Sequence, residues 1–541
     1  MKIYKFMMIA ATGLCLAACS DINEQLPEGG DITESQLIES TEEAPSRGEA
    51  TFSGMFTMMG EPYYTYGSSS GRADDFGFIM MAISQDLEGP DASMPNSGYN
   101  WFSVCGEMTS RTPTYANPYI RYAMPYNQIG AANNIIKSYP ADTEDATAIN
   151  KIAQARAIRA FDYMSLAPYF QFNYQIAADQ PCVPIVTEET TDFANNPRAT
   201  VAEVYAQILA DLDYAIAHLD ASRSDKAKIN QQVAYGLRAR AYLNMGKYAE
   251  AAADAEKAME GYTPASIAEV SVPSFYDIND HNWIWGIDLT QAQTLDAYAT
   301  SAAWLGSFSS SSYSAGTGCY ASINCLLYNK IPTTDVRKGW WMDENLHSDL
   351  LTNISWAGVS GDDIATLEIT NVKKVFTPYV NVKFGMAEGI GATMNDNDWP
   401  LMRVEEMILI AAEGYAKSGN ESKAREMLTN FVKTYRNPEY TIPASRSLAD
   451  EIWFQRRVEL WGEGFAWSDL MRLQKPLVRF HEGKDSNVPE AFQFNMASDD
   501  PWMLMRFPRS EMNSNLAVIN NTGGNLPVAG QNGSLRDGVT D

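Results

Sequence analysis

One spacing constrains this chain more than anything else in it. In LRARAYLNMGKYAEAAADAEKAMEGYTP, Ala239, Tyr242, Gly246 and Ala251 stand at intervals that recur 173 positions later. The second set is Ala412, Tyr415, Gly419 and Ala424, in ILIAAEGYAKSGNESKAREML. Small residues at these intervals let two antiparallel helices approach closely, and the glycine closes the first helix in a tight turn. This is the helix–turn–helix spacing of a tetratricopeptide repeat, whose usual period is about 34 residues. An offset five times longer describes an interrupted array rather than a continuous solenoid.

Other helical periods surround the repeat. Apolar residues fall at helical spacing over residues 126–139 and over AINKIAQARAIRAFDYMSLAPYF, Ala148 to Phe170. Val201, Val204, Ile208, Leu212 and Ile216 form one stripe between Thr200 and Leu219, and Thr200 with Glu203 makes a capping box at its start. A last helix is expected from Leu448 to Leu460. Residues 51–115 and 270–395 are instead rich in Gly, Ser, Pro, Asn, Trp and Tyr, and long loops of this kind usually carry function. The expectation is a mainly α fold in one domain over 51–541. An interrupted tetratricopeptide scaffold occupies mainly 115–265 and 395–475. A second lobe of long aromatic-rich loops and short elements comes from 51–115, 270–395 and the C-terminal region.

The N-terminus, MKIYKFMMIAATGLCLAACSD, has a basic start at Lys2 and Lys5 and an apolar run from Phe6 to Ala18. That run is too short for a membrane span, which needs about 20 residues, and has the proportions of a secretory signal. Leu16-Ala17-Ala18-Cys19 resembles a bacterial lipobox, so residues 1–18 read as a signal peptide and Cys19 as the lipidated residue. Several acyl chains hold a protein firmly to a bilayer, where one does so only marginally. Nine acids and one base between Ser20 and Ala50, with no apolar period, make 19–50 a solvated tether. The whole chain carries 67 acidic against 40 basic residues, a net charge of −27. That balance argues against a nucleic-acid partner, because phosphate contacts need clustered Lys and Arg. Four scattered His and the absence of HExxH or paired CxxC argue against a zinc enzyme, and no cofactor is assigned. Cys319 and Cys325 leave two states open, a loop disulfide or buried thiols.

The aromatic surplus, 12 Trp, 28 Tyr and 21 Phe, calls for a use. Sugars are recognised by aromatic surfaces stacked on C–H faces, with amides, carboxylates or Arg bonding the hydroxyls. GPDASMPNSGYNWFS interleaves the two kinds of residue and supplies Asp91, Tyr99, Asn100 and Trp101 as ligand candidates. A second aromatic region supplies Trp283, Trp304 and Tyr313. Trp283 and Trp285 alternate as on a half-buried strand, which favours packing for at least one of them. Of Trp340 and Trp341, adjacent and so divergent, at most one is expected to be exposed. Arg456, Arg457, Glu459, Glu463, Asp469 and Arg472 read as an ion-pair network locking two helices rather than an acid–base pair. Gly67-Ser68-Ser69-Ser70-Gly71 fits G-x-S-x-G but lacks the strand and helix of a nucleophile elbow. Asp74, Asp75, Asp86 and Asp91 lack the spacing of a calcium loop, and no metal is assigned.

Three local signatures, in order, resemble the SusD/RagB family of outer-membrane nutrient-binding lipoproteins. They are AQARAIRAFDYMSLAPYF with PCVPIVTEETT and PRATVAEVYAQILADLDYAI; LMRVEEMILIAAEGYAKSG with RRVELWGEGFAWSDLMRL; and RFPRSEMNSNL. They span most of the chain from Tyr115 to Leu516, although INNTGG departs from the usual family ending. The resemblance implies a non-enzymatic glycan-binding lipoprotein, anchored in the outer membrane and facing the cell exterior. It would capture oligosaccharide for a SusC-like TonB-dependent transporter. It also implies that the loop holding Trp101 forms part of the sugar site. Two other readings stand beside it: a peptide- or protein-capturing member of the same architecture, and a helical glycoside hydrolase.

Overall fold

A computed structural model describes residue 38 and residues 45–97, 100–294, 299–300, 304–306, 318–356, 359–366, 376–387, 389, 394 and 396–541. Eleven helices organise it: α1 Pro45–Thr57, α2 Gly77–Glu88, α3 Ala116–Lys137, α4 Ala146–Phe170, α5 Val201–His218, α6 Gln231–Met245, α7 Tyr248–Ala258, α8 Val404–Lys417, α9 Glu421–Tyr435, α10 Leu448–Glu459 and α11 Ala466–Leu473. Shorter helical turns fill the connections.

The helices from α3 onward form one array in space. Each packs on its successor from α3 to α9, and α10 packs on α8. The step from α7 to α8 crosses the long insertion, so the two repeat pairs are direct neighbours although 173 residues separate them. Gly246 ends α6 in the left-handed conformation at φ 75°, as the turn requires. Gly414 shows why small residues recur here: a Cβ on it would lie 2.5 Å from the Tyr248 carbonyl oxygen of α7. The array is interrupted in sequence and closed in space.

Local signals account for several helix starts. Thr200 and Glu203 form the expected capping box of α5. The Asn230 and Ser447 side chains accept from backbone amides at the starts of α6 and α10. Three helices depart from the sequence expectation. The helix expected from Tyr126 begins ten residues earlier, at Ala116; its early Pro118 is tolerated in the first turn, where amides lack helical partners. Helix α2 lies inside a stretch expected to be loop. All twelve of its residues are buried, so it has no polar face and no amphipathic period to read. Helix α1 starts at Pro45, within the span expected as tether, and buries Phe52, Met55 and Phe56.

Among the described residues the strands are short and come in four antiparallel pairs. β1 Ala92–Ser93 pairs with β5 Ser322–Ile323, and β2 Pro181–Pro184 with β3 Arg198–Thr200. β4 Trp283–Ile287 pairs with β8 Trp399–Arg403, and β6 Ser355–Trp356 with β7 Val359–Ser360. Every residue of β4 is buried, so the expected half-buried strand is a core strand, and Trp283 and Trp285 both lie inside. Trp340 and Trp341 are likewise both buried.

The expected ion-pair network locks α10 to α11, with Arg456 and Arg472 donating to Asp469 at 2.9 and 2.8 Å, and extends beyond them. Glu459 of α10 accepts from Arg436 at 2.8 Å and Arg403 at 3.2 Å, both scaffold residues, and from Arg337 of the loop lobe at 3.3 Å. Burial alone would raise this carboxyl; the guanidinium groups outweigh it and hold it well below the usual range. Lys383, also from the loop lobe, donates to Glu463 at 2.7 Å. Cys105, Cys182, Cys319 and Cys325 are buried thiols, so the second of the two cysteine states holds. Among the described residues no helix is long and apolar enough to cross a membrane.

Candidate functional site

Partly exposed aromatic side chains gather around Arg72. The segment after α1 turns back through Ser68–Ser70 and brings Arg72 over two rings. Its guanidinium carbon lies 4.7 Å from the Trp101 ring and 5.7 Å from the Tyr66 ring. Tyr66 in turn meets Tyr119 of α3 at 5.8 Å between centroids. Tyr66 is 43% exposed and Tyr115, just before α3, 44%, while Trp101 is half-buried.

Buried carboxylates hold this platform from below. Arg72 Nη2 donates to Asp74 at 2.8 Å, and Asn117 Nδ2 to the same carboxylate at 3.2 Å. Burial raises the Asp74 carboxyl and Arg72 opposes the rise. Asp75 accepts from the amides of Thr65 and Tyr66 at 3.0 and 2.8 Å, which fixes the turn carrying Tyr66. Burial also raises the Tyr66 hydroxyl, which stays protonated and able to donate.

The ends of the Ser-rich aromatic loop are tied beside the platform. On one side Trp304 donates from Nε1 to the Ala73 carbonyl at 2.8 Å and packs edge-on against Phe102 at 4.7 Å. On the other side Cys319 Sγ lies 3.2 Å from Ser97 Oγ.

Several expected ligand contacts are instead interior braces. Asp91 is buried in a bidentate pair with Arg457 at 2.7 and 2.8 Å, so it is a clamp between β1 and α10 and not a sugar acceptor. Asn100 is buried; it donates to the Pro95 carbonyl and accepts from the Phe102 amide, which positions Trp101 from behind. Trp283 and Trp304 are fully buried and offer no surface to a ligand. Tyr99, Tyr313 and Cys19 lie outside the described residues. Trp101 alone of the named candidates stands at the described surface. Sequence reasoning missed Tyr66, Arg72 and Tyr119. The signal lay in TYGSSSGRADD, where Arg72 sits two residues from Asp74, but nothing local shows that Trp101 closes over it.

The four acids that lack a calcium-loop spacing are all engaged. Asp86 accepts from the Gly464 and Ala466 amides at 2.9 and 3.0 Å, and the others are bound as described. Among the described residues no cluster of His, Cys, Asp and Glu could hold a metal ion. The platform therefore offers aromatic surface, one cation and phenol hydroxyls, which is equipment for binding polar ring compounds.

Comparison with known proteins adds the following. Residues 80–243 match a family model described as starch-binding associating with outer membrane, and residues 343–523 match the SusD family model. SusD-like protein P2 of Formosa agariphila is 23% identical over 501 residues, covering 88% of this chain and 91% of that protein. A SusD-like carbohydrate binding protein of Bacteroides vulgatus superposes with a TM-score of 0.69 at 22% identity, covering 87% of this chain and 97% of that one. A laminarin binding SusD-like protein superposes at 0.59 and 18% identity, covering 88% and 99%.

Proposed function

Because this chain belongs to the SusD family, we propose that it captures a glycan on the platform of Tyr66, Arg72 and Trp101. The observation that carries the reading is Arg72, held by buried Asp74 between a half-buried Trp and an exposed Tyr. The rings supply apolar surface for the C–H faces of a sugar, and the guanidinium and the Tyr66 hydroxyl serve its hydroxyl groups. Few rotatable bonds are immobilised, because Asp74, Asp75 and Asn100 already fix the turn on which these groups sit. Tyr99 and Tyr313 are proposed to complete the site.

The protein acts by binding and does no chemistry on the glycan. At the platform, Asp74 and Asp75 are occupied by Arg72, Asn117 and backbone amides, so neither is poised as an acid or base. Cys19 anchors the chain to the outer membrane, facing outward, and a SusC-like transporter receives the ligand.

Titration of the mature protein against a polysaccharide panel, with peptides alongside, tests the reading. The expected result is binding to at least one glycan, lost in Trp101→Ala and Arg72→Ala. Binding to peptides alone would transfer the site to the peptide-capturing alternative, and release of shortened glycan would make the protein a hydrolase. Cys19→Ala is expected to move the protein from the membrane fraction to the soluble one.

A further inference from the structure

The charges around the platform are not those of an anion site. Its chain comes from residues 60–75 and 92–106, and the segment 304–319 is tied beside it at Trp304 and Cys319. Together the three stretches contain one base, Arg72, and three acids, Glu61, Asp74 and Asp75. Residues 92–106 and 304–319 have no Asp, Glu, Lys, Arg or His, so they bring hydroxyls, amides and rings but no charge.

The one cation is already compensated. Arg72 Nη2 lies 2.8 Å from each carboxylate oxygen of Asp74, whose side chain is closed to solvent. Arg72 Nε is buried without a partner. The edge that presents Nε and Nη2 side by side is one by which arginine grips a carboxylate or sulfate through two parallel bonds. Here one nitrogen of that edge faces Asp74 and the other is shut off from water, which leaves Nη1 to meet a ligand. Asp75 adds a second carboxylate, bonded to the Thr65 and Tyr66 amides and, among the described residues, paired with no cation. Burial raises the Tyr66 hydroxyl most, Arg72 lowers it, and Asp75 and Asp74 each raise it further, so both carboxylates are felt at the exposed ring.

We propose that the platform takes uncharged glycans and rejects chains bearing uronate carboxylates or sulfate groups, because two carboxylates stand around its single guanidinium. The inference rests on the platform being the glycan site and adds the chemical class of glycan. A hydroxyl donates once and accepts twice, so a neutral sugar serves Nη1 and the Tyr66 hydroxyl without bringing charge. An anionic group in the same place would be desolvated beside Asp74 and Asp75, and like charges brought together at an interface are unfavourable. The net charge of −27 acts in the same direction at long range, most strongly at low salt.

Calorimetric titration of the mature protein against matched glycans tests this. The neutral probes are a β-glucan, a mannan and a galactan; the anionic ones are polygalacturonate, alginate and a sulfated galactan. Each probe that binds is compared with its own counterpart: neutral chains oxidised to uronates at the primary hydroxyls, uronates reduced to alcohols, sulfated chains desulfated. The neutral member of each pair is expected to bind at least about tenfold more tightly, and to lose binding in Trp101→Ala. Asp74→Asn keeps an acceptor beside Arg72 and removes one negative charge, so it should shrink that preference. If the variant folds poorly, raised salt replaces it, since screening should shrink the preference of the wild type in the same way. An anionic member that binds within about tenfold of its neutral partner, and loses binding in Trp101→Ala, overturns this inference and leaves the platform as the glycan site. A preference unmoved by both Asp74→Asn and salt overturns it too. Glycan binding indifferent to Trp101→Ala and Arg72→Ala, or no glycan binding at all, overturns the platform and this inference with it.

Discussion

The same three residue types meet twice in this molecule, with opposite outcomes. Between β1 and α10, Arg457 lies 4.6 Å over Trp453 and is bonded to Asp91 at 2.7 and 2.8 Å and to Asp537 at 2.6 Å. At the platform, Arg72 lies 4.7 Å over Trp101 and is bonded to Asp74 at 2.8 Å. The first arginine is consumed by two carboxylates and sealed from water. The second has one carboxylate, a side chain 18% exposed, and a second ring that reaches solvent. Composition does not separate a sealed trio from one that reaches the surface; the number of carboxylates around the arginine and its exposure do.

The largest expected effect falls on the sealed trio. Arg457→Ala leaves Asp91 and Asp537 buried without a cation, and removing one partner of a buried pair costs about 3–5 kcal/mol. Denaturant unfolding checks this, with Arg72→Ala as its counterpart, expected to cost less because it strands one carboxylate rather than two and Asp74 keeps its bond from Asn117. Equal losses in the two variants would erase the distinction.

What the guanidinium contributes can be isolated on α2, where two acids stand two residues apart. Burial pushes Asp86 up to about 7, with the Gly464 and Ala466 amides only partly opposing it. Burial also acts on Glu88, but Arg111 and Arg121 outweigh it and hold that carboxyl at about 2. The signs then differ. Folded Asp86 binds its proton more tightly than the unfolded chain does. Its contribution is therefore full below the unfolded value near 3.8 and is lost as pH rises towards about 7. Glu88 contributes above its unfolded value near 4.5 and loses that contribution as pH falls towards about 2. Between about pH 4 and 7 the wild type should lose stability relative to Asp86→Asn, on the order of 3 kcal/mol for a shift of about three units. The difference should stop changing above about 7. A flat difference across that window would remove the uncompensated acid from the account.

The scaffold was legible in the sequence because helix pairing is local. Ala239, Tyr242, Gly246 and Ala251 touch within one hairpin, so their spacing is kept in the chain and its copy at Ala412 reports the neighbouring hairpin. The surroundings of the loop aromatics were not legible, for a reason of the same kind. Trp101 meets Arg72 across 28 intervening positions, and Trp283 is buried by β8, more than a hundred residues away. A Trp in a loop-like stretch reads alike whether a distant strand covers it or water does. The platform is therefore read from contacts that no local period records. For the same reason Asp91, polar and beside a turn, looked like a ligand group and is a clamp.

A smaller effect probes the platform itself. Trp101→Ala should weaken glycan binding by about 1–3 kcal/mol while unfolding stays cooperative, as for an anchoring aromatic in a small interface. Calorimetric titration paired with thermal unfolding separates the outcomes. Unchanged affinity with a large stability loss would place Trp101 with Trp453 among the structural rings.

Tyr66→Ala sharpens the same point at the lowest amplitude. Tyr66 stands farther from the guanidinium than Trp101 does, 5.7 against 4.7 Å, and leans on Tyr119 as much as on Arg72. It should contribute about 0.5–1.5 kcal/mol of affinity, the range of an aromatic contact beyond its buried area. If the platform works as a unit, Arg72 orients both rings, so Tyr66→Ala and Arg72→Ala should be non-additive in affinity and additive in stability. A double-mutant cycle reads both quantities on the same four proteins. Coupling in stability rather than affinity would mean that Arg72 is, like Arg457, a brace between packed parts, and the exposed ring beside it would lose its meaning as a site.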